Sequence, residues 1–135
     1  YEMKMVLEKY SEKDWLIKAE TLPRLQFINL MRHARALVGN SSMGILEAPH
    51  YKLPVVNIGN RQKGRLNAGN VEFVSYKIDE IINSLEKAVF DKKYREKVRN
   101  IENPYGDNTA PKKIRKTIES VNIKDRKWYV KQKLC

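Results

Sequence analysis

Residues 36–65 read ALVGNSSMGILEAPHYKLPVVNIGNRQKGR. Ala36, Leu37 and Val38 are a short apolar run, and Gly39-Asn40-Ser41-Ser42 cannot easily extend it. Ser41 is a natural N-cap, and Met43, Ile45 and Leu46 begin a helical pattern with Glu47 in its second turn. Residues 54–59, PVVNIG, are a second buried strand, and a basic loop with Arg61, Lys63 and Arg65 leaves its C-terminal end. Strand, small-residue turn, helix, strand is the order of open α/β sheets, whose ligands sit beyond the C-terminal strand ends. The N–H groups of the helix's first turn, with its dipole, favour phosphate at such a turn. On the turn alone, the plainer reading of a serine-capped connection is preferred. Its neighbours reverse that preference. Gly44 has no Cβ to keep a large ligand off the helix, and Glu47, three residues on, shares its face and can accept from two adjacent sugar hydroxyls. With cations on the next strand end, the set suits a nucleoside diphosphate.

Outward from this block the chain alternates. Upstream, residues 2–10 are helical with Met3, Val6, Leu7 and Tyr10 on one face, and residues 15–19 (WLIKA) read as a short strand. Leu22-Pro23 starts a helix that runs to Ala34, with Pro in its first turn. Downstream, residues 71–76 (VEFVSY) are a third strand and residues 78–90 a helix with Ile81, Ile82, Leu85 and Val89 on one face. Residues 91–101 are a more charged helix, residues 103–108 (NPYGDN) are turn chemistry, and residues 110–121 are the last helix. The alternation implies an α/β fold: a Rossmann-like parallel sheet with helices on both faces, in one domain over residues 1–135. The chain opens with Tyr1 inside a helix and no cap before it, as an excerpt that begins elsewhere would.

Composition narrows the partners. At 41% hydrophobic and 32% charged residues, the chain reads as globular rather than disordered, and no apolar run is long enough to span a membrane. The net charge of +11 is concentrated after Pro111, where the tail carries about +7. Those charges alternate with Ile114, Ile118, Val121 and Ile123 as on an amphipathic helix, and no nucleic-acid motif accompanies them, so nucleic acid is disfavoured as a partner. Cys135, the single cysteine, reads as an unpaired thiol in a reducing cytoplasm. With two histidines and no cysteine cluster, no structural metal site is expected. Asn40-Ser41-Ser42 matches a glycosylation acceptor but lies between strand and helix. His33 and His50 read as surface residues, Trp15 and Trp128 as packing anchors, and Asp107 as a cap for the following helix.

GNSSMGILEAP, PVVNIGNRQKGR, GNV and NPYGDNTAPKKI, in this order and spacing, resemble the C-terminal lobe of the hydrolysing UDP-N-acetylglucosamine 2-epimerases of the sialic-acid type. GNSS alone is weak, whereas GNSSxGxxE followed by PVVNxGxRQxGR is specific, and the resemblance runs from about Met3 to the end. It implies one lobe of the two-lobed glycosyltransferase-B fold, with the N-terminal lobe outside this chain. It also implies that Ser41 and Ser42 hold the diphosphate beside Gly44, that Glu47 grips the ribose, and that Arg61 lies near phosphate or sugar. Backbone groups at Leu22 would read the uracil edge, with Phe27 packed by the base. The family's reaction eliminates UDP to a 2-acetamidoglucal and adds water to give N-acetylmannosamine. Its acid and base carboxylates, a histidine and a further phosphate-binding region lie upstream, so no catalytic residue is expected in these 135 residues and the segment alone should be inactive. The implied partners are UDP, a UDP-N-acetylhexosamine and the missing lobe, with a homo-oligomer left open and no metal or nicotinamide cofactor. Two alternatives stand beside this. One is a related epimerase of diacetamido sugars (legionaminate pathway) or a glycosyltransferase lobe. The other is a non-enzymatic binding domain that uses the basic tail.

Overall fold

The computed structural model describes residues 2–122, 124 and 125. Ile123, Trp128, Cys135 and the end of the basic tail lie outside the described residues. The chain divides into two compact units, residues 1–34 and 35–135.

The first unit holds α1 (Glu2–Lys9) and α2 (Arg24–His33). Pro23 is the cap residue before α2, one position earlier than expected, and its extended ψ of 142° leads the chain in from the preceding segment. The strand expected over residues 15–19 does not form. A strand needs a ladder partner, and among the described residues of this unit there is no strand to supply one. Trp15 is accordingly no packing anchor: it is 70% exposed, with its ring 5.9 Å from that of Tyr10 between centroids. No residue of α1 is buried, and its Met3, Val6, Leu7 and Tyr10 face is left largely exposed.

The second unit is built on a three-stranded sheet in the order β1 (Leu37–Gly39), β2 (Val55–Ile58), β3 (Val71–Val74). Both pairings are parallel, with Leu37 opposite Val55 and Val55 opposite Val71. Around it lie α3 (Met43–Leu46), a 3₁₀ turn Ala48–Tyr51, α4 (Ile78–Phe90), α5 (Lys92–Arg99) and α6 (Ala110–Ser120). Side chains alternate across a strand, so the consecutive buried residues Val55 and Val56 require cover on both sides. Leu37 and Val55 share the face that receives α3. Val56 packs on the other with Ala88 of α4, Tyr94 and Val98 of α5 and Ile101. Burying each valine contributes about 1.5–3 kcal/mol. Helices therefore cover both faces, as the alternation implies. β1, read as buried, is an edge strand among the described residues, and its Val38 is 44% exposed.

Helix ends follow from local side chains. Glu80 reaches back to accept from the Ser75 N–H at 3.0 Å, while Ser75 Oγ accepts from Lys77 N–H, and α4 starts there. Asp91 leaves α4 in an extended conformation and accepts from Tyr94 N–H at 3.0 Å, so the same residue ends one helix and caps the next. α6 buries none of its residues, and Ile114 and Ile118 are each 59% exposed.

Candidate functional site

The connection from β2 to β3 is parallel, yet residues 59–70 contain no helix. Parallel neighbours are usually bridged by one, so this loop is free to line the C-terminal edge of the sheet. Gly59 turns the chain there with φ +81°, and a Cβ on it would collide with the Tyr76 hydroxyl. Arg61, Lys63 and Arg65 are exposed on the loop. Gln62 between them is 2% exposed and donates from Nε2 to the Asn40 carbonyl at 3.1 Å, tying the basic loop to the small-residue turn. Two further bonds bring in the NPYGDN segment: Tyr105 Oη donates to the Leu66 carbonyl at 2.8 Å and Asn103 Nδ2 to the Leu46 carbonyl at 3.1 Å. Three loops are thus joined at one end of the sheet.

In the turn itself, Ser42 is the backbone cap, with helical φ −61° and ψ −19°, while the capping oxygen belongs to Ser41, whose Oγ accepts from Met43 N–H at 3.3 Å. The N–H groups of Gly44 and Ile45 are taken by the carbonyls of Ser41 and Ser42. No described residue accepts from the N–H of Ser41 or Ser42. These two donors face no internal competitor. α3 is only one turn long before the chain tightens into the 3₁₀ turn. The expected helix dipole is therefore small, and local N–H groups supply the anion attraction.

Gly44 works differently from the expectation. It is buried, and an ideal Cβ on it would stand 2.8 Å from Val55 Cγ1 and 3.7 Å from Leu37 Cδ2. The missing Cβ lets the helix approach the sheet rather than opening the helix to a ligand. Glu47, half-buried, ends α3 at φ −106° and ψ −42°, where the helical period breaks. Asn70, fully buried, fixes the region from below: its Nδ2 donates to the Gly44 and Leu53 carbonyls at 3.1 Å each. Its own carbonyl accepts from Tyr94 Oη at 2.9 Å, and burial, followed by the charge of Glu72, pushes the Tyr94 hydroxyl well above its usual range. Gln62 Oε1 and Asn70 Oδ1 are buried without a partner among the described residues.

The cap residue of α6 is Thr109, with no side-chain cap bond, so Asp107 does not cap the helix as expected but braces the residue that does. Its Oδ1 accepts from Thr109 N–H at 3.0 Å and from Thr109 Oγ1, and these bonds hold the carboxyl down at about 2. His33 and His50 are exposed. In the first unit, Leu22 lies half-buried in the segment before α2, and Phe27 is half-buried on α2. Among the described residues, no group of three or more His, Cys, Asp or Glu is placed to hold a metal ion.

Sequence reading missed Gln62, Asn70, Asn103 and Tyr105. The usable signals were a neutral amide inside a basic loop and an asparagine directly before an apolar strand.

A parallel sheet covered by helices on both faces places the chain in the Rossmann-like class of α/β folds. The family model described as UDP-N-acetylglucosamine 2-epimerase matches residues 2–119, and the chain belongs to that family. It is 38% identical over 125 residues to the GDP/UDP-N,N'-diacetylbacillosamine 2-epimerase (hydrolyzing) of Campylobacter jejuni, covering 87% of this chain and 31% of that protein. It is 29% identical over 118 residues to the UDP-N,N'-diacetylbacillosamine 2-epimerase (hydrolyzing) of Legionella pneumophila, covering 87% of this chain and 30% of the relative. The UDP-GlcNAc 2-epimerase of Neisseria meningitidis, in a crystal structure bound to UDP-GlcNAc, superposes with a TM-score of 0.71 at 26% identity. That match covers 88% of this chain and 33% of the other. The chain thus spans about a third of the length of these relatives.

Proposed function

We propose that this chain is the UDP-binding lobe of a hydrolysing 2-epimerase that converts UDP-N-acetylglucosamine and water to N-acetylmannosamine and UDP. The observation that carries the reading is the pair of N–H groups on Ser41 and Ser42, without internal acceptors, beside a cationic loop tied to the same turn by Gln62. In this reading the two serines hold the diphosphate, Glu47 accepts from the ribose hydroxyls, Arg61 stands by the phosphates, and Leu22 and Phe27 meet the uracil. Gly44 serves the site by seating α3 on the sheet. The reaction opens with removal of the C2 proton by a base while the C1–O bond breaks and UDP departs; water then adds to the 2-acetamidoglucal. Donors and cations at the diphosphate offset the charge that develops on the leaving group. Proton transfer comes from the lobe outside this chain. With one cysteine and no described helix long and apolar enough to cross a membrane, the reading sets the reaction in the cytoplasm.

A second reading, a 2-epimerase acting on UDP-N,N'-diacetylbacillosamine, is favoured by the names of the Campylobacter and Legionella relatives. Both sugars share the UDP grip. A UDP-release assay separates the lobe from a self-sufficient enzyme. The 135-residue chain should release no UDP from UDP-N-acetylglucosamine. Robust release that is lost on mutating a residue within the chain would put the chemistry in the wrong half.

A further inference from the structure

The opposite end of the sheet carries a second concentration of positive charge. Arg35, which leads into β1, and Lys92, Arg95 and Arg99 of α5 line a cleft of about 640 Å³, with Glu96 as the only acid among the lining residues. Phe90, 75% exposed, stands on its rim. None of the four cations is ion-paired among the described residues. A row of solvated lysines would need no explanation, but Arg95 is not of that kind. Its Nη1 donates to the Arg35 and Ala88 carbonyls at 2.9 Å each, occupying a carbonyl that the end of α4 leaves open. The guanidinium is therefore fixed, and its Nε and Nη2 have no acceptor among the described residues. Arg99, one helical turn on, adds a like charge on the same face, an arrangement that destabilises a helix unless an anion lies between. Burial, then the charges of Arg35 and Arg99, pull Arg95 below the usual guanidinium range.

We propose that this cleft is a second anion site, remote from the Ser41–Ser42 turn, that takes a small phosphoryl compound carrying two or more negative charges. Guanidinium forks match the oxygens of a phosphoryl group, and an anchored fork loses little freedom on binding. The cations converge on one concavity rather than running along a stripe, which favours a compact ligand over an acidic chain.

Calorimetric titration of inorganic pyrophosphate into the 135-residue chain, first saturated with UDP, tests this. Pyrophosphate should still bind with one-to-one stoichiometry. Arg95→Gln/Arg99→Gln should weaken it by about tenfold or more, with UDP affinity unchanged within about twofold. Lys92→Gln/Arg99→Gln leaves both Arg95 carbonyl bonds in place and should weaken it comparably if the first variant does not fold. Pyrophosphate binding that disappears once UDP is present would overturn the proposal. So would undiminished binding by the folded Lys92→Gln/Arg99→Gln variant, or binding of poly-glutamate but not pyrophosphate. A chain that binds no UDP contradicts the first site alone; the cleft is then judged by pyrophosphate and the two variants.

Discussion

Asp107 and Glu47 are both carboxylates at helix ends, and they differ in what they grip. Asp107 holds Thr109 through the threonine side chain and its N–H, and its carboxyl sits at about 2, below the ordinary 3.8. Because the folded value is depressed, its contribution to stability is present above the unfolded value and is lost as pH falls through about 2. Thr109→Val deletes the hydroxyl and keeps the backbone bond, so a ¹³C titration should find the Asp107 carboxyl moved up toward 3.8; a carboxyl still at about 2 would show that the hydroxyl is not the cause. Glu47→Gln should weaken UDP by about 1–3 kcal/mol, the cost of losing charged hydrogen bonds, with little change in folding. A variant that melts far lower while its folded fraction binds UDP normally would make Glu47 structural. A local bond at Asp107 was legible in the sequence because its partner is two residues away, but that the partner is the cap residue Thr109 rather than the helix was not. Gln62, Asn103 and Tyr105 were not, because their partners lie 22, 57 and 39 residues away, and no local pattern records such a bond.

At the level of elements, the same distinction decides which expectations hold. α4 was legible to both ends because the bonds that fix them are local, Glu80 accepting from Ser75 before the helix and the Asp91 N–H donating to the Lys87 carbonyl at its end, and β2 because VVNI is too apolar to stay in solvent. Residues 15–19 have strand composition, but a strand is defined by its partner, and composition does not supply one. α3 is shorter than its pattern suggests because Pro49 and the tightening at Glu47 convert the next turn to 3₁₀. Gly44 is where the two accounts of α3 separate. Val55 is β-branched and 3% exposed, so it cannot swing away from a new Cβ at 2.8 Å. Gly44→Ala should therefore destabilise the chain by about 1–3 kcal/mol in urea unfolding. Unchanged stability with lost UDP binding would restore the view of Gly44 as an opening toward the ligand.

For the whole molecule, the alternation of strands and helices was enough to anticipate a parallel sheet covered on both faces, and the GNSS and NRQKGR segments marked the edge of the proposed UDP site. The basic cleft at the other end was invisible in the sequence, since Arg35 and the α5 cations meet only after the strand and helices between them fold. The chain spans about a third of its relatives, so in the proposed enzyme part of the phosphate grip and all proton transfer come from outside it, and UDP alone should bind weakly. Selectivity should nevertheless be present, because uracil would be read by backbone groups around Leu22 within this chain. The decisive experiment is calorimetric titration of UDP, ADP and GDP into the 135-residue chain. UDP should bind in clear preference to the two purine nucleotides; ADP or GDP binding as well as UDP, or no UDP binding by a folded chain, would contradict the assignment of this lobe as a UDP cradle.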